Sequence, residues 1–122
     1  MDRILALTNE KELFSEIQEK IQDRTEIDII TCMDNLNLIE KFVSQHTELV
    51  ILDIDLLNEK VIKLINILRA INKNLKIILM LSNDKMSICS LALSLGVVSY
   101  LVKPVSNDNL TKIISATLKI KI

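Results

Sequence analysis

Five compact apolar runs alternate with five stretches of helical periodicity along this chain. The first run, Arg3 to Thr8 (RILALT), stops at polar Thr8 and Asn9 and suits a buried strand. Leu13, Phe14, Ile17 and Ile21 then recur at helical spacing among Glu, Gln and Lys, which predicts an amphipathic helix. Ile27 to Thr31 (IDIIT) is a second strand, placed nearer an edge because Asp28 interrupts its apolar run. Asp34 is a candidate N-cap for a second helix whose Leu36, Ile39 and Val43, with Leu38 and Phe42, would make a broad apolar face. The third run, Leu49 to Asp53, lies in ELVILDIDLL and ends in an acid, with Asp55 two positions on. A third helix follows over Glu59 to Ile71, carrying Val61, Ile62, Leu64, Ile65, Leu68 and Ile71 inward. Lys76 to Leu81 (KIILML) is the fourth strand and ends at Ser82, Asn83 and Asp84. A fourth helix, with Met86, Ile88, Leu91, Ala92 and Leu95, runs to Gly96, where a left-handed residue is expected. Val97 to Val102 (VVSYLV) is the fifth strand, broken by Lys103-Pro104; Ser106 or Asn107 caps a fifth helix with Leu110, Ile113, Ile114 and Leu118 inside.

Strands and helices alternating five times make a βα repeat. Short connections and right-handed crossovers then force a mostly parallel sheet with helices on both faces. The expected fold is α/β, a flavodoxin-like doubly wound sheet of five strands in the order 2-1-3-4-5, with its switch point between strands one and three. Asp53 would then lie beside Thr8 and Asn9, over the crevice at the carboxyl end of the sheet.

Length and composition narrow the class. The 122 residues suit a single domain spanning 1–122 with no output domain attached. The core must be aliphatic, because the chain has no Trp, one Tyr and two Phe although 49% of it is apolar. Fifteen basic against sixteen acidic residues, without a basic stripe on any helix, disfavour direct nucleic-acid binding. No stretch has the length of a membrane span or the form of a signal peptide, so a cytoplasmic protein without a membrane partner is expected. Cys32 and Cys89 stand far apart without histidines at ligand spacing and read as buried thiols, and His46 reads as a surface residue.

The strand ends hold the candidate chemistry. TNEKE after the first strand has no glycine and adds acids, which argues against a phosphate-cradling nucleotide loop. Hydrolase chemistry lacks both a G-x-S-x-G elbow and a placed histidine base, so no enzyme activity is expected. What remains is an aspartate, a hydroxyl residue and a lysine followed by proline at the ends of strands three, four and five. A carboxylate can act as a nucleophile toward phosphorus, and the acyl phosphate formed needs a hydrogen-bond donor and a cation for its added oxygens. Asp53, Ser82 and Lys103 are those candidates.

From Arg3 to about Leu118 the chain resembles the receiver domain of bacterial two-component response regulators. LVILDID resembles the family's phosphoacceptor strand, LMLSN its hydroxyl-bearing fourth strand, and LGVVSYLVKP its fifth. The resemblance implies a phosphoprotein of a phosphorelay, with Asp53 as acceptor of an aspartyl phosphate, Ser82 and Lys103 reading the charge, and Tyr100, three residues before the lysine, as the switch aromatic. It implies a histidine kinase or phosphotransfer protein as donor, a downstream protein target, and a possible homodimer through the fourth helix, fifth strand and fifth helix. It also implies Mg²⁺, held by Asp53, the backbone carbonyl of Asp55 and an acidic pair after the first strand. Thr8 and Asn9 stand in place of that pair, leaving Asn9 a weak ligand candidate and Glu10 an acid nearby. A unit charge pair at ~4 Å is worth about 4 kcal/mol gross at an effective dielectric of 20, so losing two acids weakens the ion by more than ~100-fold. The family's proline and glycine after the acceptor are replaced by Leu57 and Val61. The alternative reading is a degenerate receiver, an interaction module that works without phosphorylation.

Overall fold

The computed structural model describes residues 3–121. Met1, Asp2 and Ile122, part of the span assigned to the single domain, lie outside them. Five strands, β1 (Arg3–Leu7), β2 (Asp28–Cys32), β3 (Leu49–Asp53), β4 (Lys76–Leu81) and β5 (Ser99–Val102), form one sheet in the order β2-β1-β3-β4-β5. Every pairing is parallel, with Leu7 beside Leu52 and Asp53 beside Met80. The five long helices are α1 (Lys11–Ile21), α2 (Asn35–Ser44), α3 (Lys60–Ile71), α4 (Met86–Leu93) and α5 (Asn107–Leu118). A four-residue helical turn, Ile54–Leu57, follows β3.

Strand alternation divides the core in two. Leu5, Leu7, Val50, Leu52, Ile77 and Leu79 face Leu38 and Phe42 of α2, Leu64 and Leu68 of α3, and Cys89 and Ala92 of α4. Ile4, Ala6, Leu49, Ile51, Ile78 and Met80 face Phe14, Ile17 and Ile21 of α1 and Leu110 and Ile114 of α5. A sheet covered on both faces needs strands that are apolar at successive positions, which is why β1, β3 and β4 read as unbroken runs. β2 and β5 are the edges and are the less buried strands.

Several boundaries differ from the sequence expectation. β1 stops at Leu7, although the Thr8 amide still donates to the Cys32 carbonyl. β2 is shifted one residue, and β5 begins at Ser99 rather than Val97. α4 ends at Leu93, and Gly96 takes the expected left-handed conformation, φ 82°, in the loop beyond it. The faces of α2, α3 and α4 are narrower than expected: Leu36, Val43, Ile71 and Leu91 are exposed. A helix against a sheet buries a stripe about 100° wide, and on α2 Leu38 and Phe42 fill it. Asp34 Oδ1 accepts from the Asn37 amide and Ser106 Oγ from the Asn109 amide, so both helices are capped as expected, with Ser106 rather than Asn107 as the α5 cap.

Two arginine networks tie the layers together, one from buried Arg3 and one from half-buried Arg69. The Arg3 guanidinium donates to the Lys41 and Gln45 carbonyls at the end of α2 and to the Gln45 side chain. Arg69 near the end of α3 donates to the Leu75 carbonyl and, at 2.7 Å, to that of Gly96.

Candidate functional site

The parallel sheet delivers the ends of β1, β3, β4 and β5 to one edge. Asp53 closes β3 and caps the helical turn: its Oδ1 accepts from the Asp55 amide at 3.0 Å. Ser82 follows β4 directly. Lys103 follows β5, where its amide donates to the Leu81 carbonyl at 2.8 Å and the Lys103-Pro104 peptide is cis. The three residues singled out at separate strand ends therefore converge.

Lys103 is the centre of the charge distribution. Its Nζ lies 2.7 Å from Asp53 Oδ2, 3.1 Å from Asp55 Oδ2 and 3.9 Å from Glu10 Oε2. Asp53 is fully buried, and the Lys103 side chain is 20% exposed. Burial works against the charge on Lys103, but its bonds to Asp53 and Asp55 outweigh that and raise its pKa above the ordinary lysine value.

Asp55 enters the site in a way the sequence reading did not anticipate. Beside the backbone carbonyl expected there, its side chain reaches across to the end of β4. Oδ1 accepts from the Ser82 amide at 3.0 Å and Oδ2 from the Ser82 hydroxyl at 2.6 Å. Desolvation opposes its charge, and the bonds from Ser82 and Lys103 override it, holding the carboxyl below the usual range. The signal for this role was an acid two residues beyond Asp53, on a turn short enough to face the next strand end.

Thr8 is buried beside β3, with its Oγ1 accepting from the Glu10 amide at 2.9 Å. Asn9 is exposed and lines a surface groove with Glu10, Glu12, Glu16 and Asn107. Glu10 Oε2 is buried without a hydrogen-bond partner among the described residues. Tyr100 lies on the edge strand, 38% exposed.

This donor set does not fit Mg²⁺ as arranged. Mg²⁺ demands octahedral oxygen ligands at about 2.0–2.1 Å, whereas the Asp53, Asp55 and Glu10 carboxylates surround an ammonium, and Thr8 and Asn9 add no carboxylate. Among the described residues no group of three or more His, Cys, Asp or Glu side chains is arranged to hold a metal. Also among the described residues, no helix is long and apolar enough to cross a membrane. Cys32 and Cys89 are buried free thiols, with pKa values pushed up by burial, and His46 is exposed, its Nε2 2.8 Å from Glu48.

The family model for the response regulator receiver domain matches residues 4–115. The chain belongs to that family. Receiver domains are signalling modules of two-component systems, generally bind Mg²⁺ at an acidic pocket, and act between histidine kinases and effectors. Solved structures agree on the fold. The receiver domain of the TMAO respiratory system response regulator TorR is 21% identical with a TM-score of 0.82, covering 99% of this chain and 100% of that one. A two-component response regulator from Clostridium difficile is 24% identical, TM-score 0.78, covering 98% and 97%. A receiver domain protein from Methanospirillum hungatei is 17% identical, TM-score 0.81, covering 98% and 94%. No relative among curated protein sequences matches the chain.

Proposed function

We infer that this receiver domain accepts a phosphoryl group on Asp53 from a phosphohistidine of a kinase or phosphotransfer protein. The observation that supports the reading is the pairing of Lys103 Nζ with Asp53 Oδ2 at 2.7 Å, with the Ser82 hydroxyl at the adjoining strand end. In the transfer an Asp53 oxygen bonds to phosphorus as the donor's P–N bond breaks. The electron pair of that bond stays on the imidazole nitrogen, which takes a proton from solvent. Lys103 and Ser82 then neutralise and hydrogen-bond the added oxygens. No step here is routed through magnesium, whose acidic pair is replaced by Thr8 and Asn9.

The signal would leave by protein contact. Leu91 of α4 and Val98 and Tyr100 at β5 are exposed, and Val98, Ile113 and Ala116 line an apolar groove beside them. That face suits a downstream protein or a second copy of the chain, with Tyr100 as its switch residue.

A second reading, a phosphorylation-independent interaction module, is favoured by the complete burial of Asp53 and the use of Ser82 and Lys103 by Asp55. The deciding experiment is intact-mass analysis after incubation with phosphoramidate and magnesium chloride. The acceptor reading expects one hydroxylamine-labile phosphoryl group, absent from Asp53→Asn. No adduct, or one that survives Asp53→Asn, supports the module.

A further inference from the structure

An aspartyl phosphate at Asp53 would need donors for its added oxygens, and the ends of β4 and β5 supply the Ser82 hydroxyl, the Ser82 amide and the Lys103 ammonium. In this structure all three already serve one carboxylate. Asp55 Oδ2 takes the Ser82 hydroxyl at 2.6 Å and lies 3.1 Å from Lys103 Nζ, while Oδ1 takes the Ser82 amide at 3.0 Å. The backbone of the same residue is fixed as well, because the Asp55 amide donates to Asp53 Oδ1. Asp53 is fully buried, whereas the Asp55 side chain is 24% exposed, so solvent meets Asp55 rather than Asp53.

We propose that Asp55 is an internal gate on the acceptor: its carboxylate occupies the donor set that the phosphoryl group requires, and it must leave Ser82 and Lys103 before Asp53 can be modified. The proposal rests on the reading of Asp53 as acceptor. The carboxylate resembles the incoming group in charge and in its two hydrogen-bonding oxygens, so the two compete for the same donors. Glu10 does not share the role, since it approaches Lys103 only at 3.9 Å and makes no hydrogen bond through its inner oxygen.

The gate predicts that removing the Asp55 carboxylate speeds modification. Phosphoramidate labelling of Asp53 forms an O–P bond as the P–N bond breaks and the nitrogen departs as ammonia. Its rate is followed by intact mass in the wild-type chain, Asp55→Ala, Asp55→Asn and Glu10→Gln, each checked for folding by circular dichroism. A rate at least tenfold higher in Asp55→Ala, with Asp55→Asn between it and the wild type, is expected. A second readout needs no chemistry: amide exchange at Ser82, followed by NMR, should be at least tenfold faster in Asp55→Ala. Equal labelling in wild type and both Asp55 variants overturns the gate and leaves the acceptor standing. An equal rise in Glu10→Gln overturns it too, since bulk charge relief would then explain the effect. Absence of labelling in every variant overturns the acceptor reading and the gate with it. Unchanged Ser82 exchange removes the contact on which the gate is built.

Discussion

Replacing Lys103 by methionine tests the charge arrangement most severely. Three carboxylates, on Glu10, Asp53 and Asp55, lie within 4.0 Å of one ammonium, so the wild-type cluster carries three formal negative charges against one positive. Methionine fills much of the lysine stem but leaves the acids facing one another. Removing one partner of a buried pair costs about 3–5 kcal/mol, because the other charge stays desolvated. Asp53 is fully buried and meets that condition, while Asp55 and Glu10 reach solvent at 24% and 36%, which places the expected loss near the lower end, about 3 kcal/mol. With a urea slope of about 1.5 kcal/mol/M for a chain of this size, the midpoint should fall by about 2 M. Adding Asp53→Asn to Lys103→Met removes the buried unpaired charge and should recover more than half of that loss. A Lys103→Met midpoint within about 0.3 M of wild type, or a double variant no more stable than the single, would refute the electrostatic account.

The same cluster sets a pH dependence, and a glycine and two helix caps give further outcomes. Asp55 titrates below its ordinary value of 3.8, so its contribution to stability is complete above that pH and is lost as pH falls through the lower folded value. Lys103 titrates above its ordinary 10.5, so its share is complete below that pH and is lost as pH rises through the higher folded value. Urea midpoints across pH should show both limbs, and Asp55→Asn should flatten the acid one. Gly96→Ala should cost about 1–2 kcal/mol by chemical denaturation, since a Cβ at Gly96 would meet Arg69 Nη2 at an ordinary 3.5 Å and the strain lies in φ 82°. Asp34→Ala and Ser106→Ala should each cost about 1 kcal/mol by the same measurement, through loss of the bonds to the Asn37 and Asn109 amides.

The parallel order of the sheet was legible because each buried strand had to be apolar on both faces, and the helical stretches between left only crossovers. Asp34 and Gly96 were legible because a cap and a left-handed turn leave local signatures. Helix width was not, since Leu36, Val43 and Leu91 continue an apolar pattern beyond the stripe that a sheet can cover. The networks of Arg3 and Arg69 were hidden as well, because most of their partners are backbone carbonyls, which no side-chain pattern reveals. At the site, the convergence of Asp53, Ser82 and Lys103 followed from strand ends alone. The part played by Asp55 did not, because it depends on a short helical turn swinging a side chain toward β4.

The central claim is that Asp53 still accepts phosphoryl chemistry despite Thr8 and Asn9. Its most direct test is an NMR titration with beryllofluoride, a mimic of the aspartyl phosphate, at rising magnesium concentration. Saturable shifts at Ser82 and Lys103 that vanish in Asp53→Asn are the predicted result. Spectra unchanged at every concentration, or changed equally in Asp53→Asn, would contradict it.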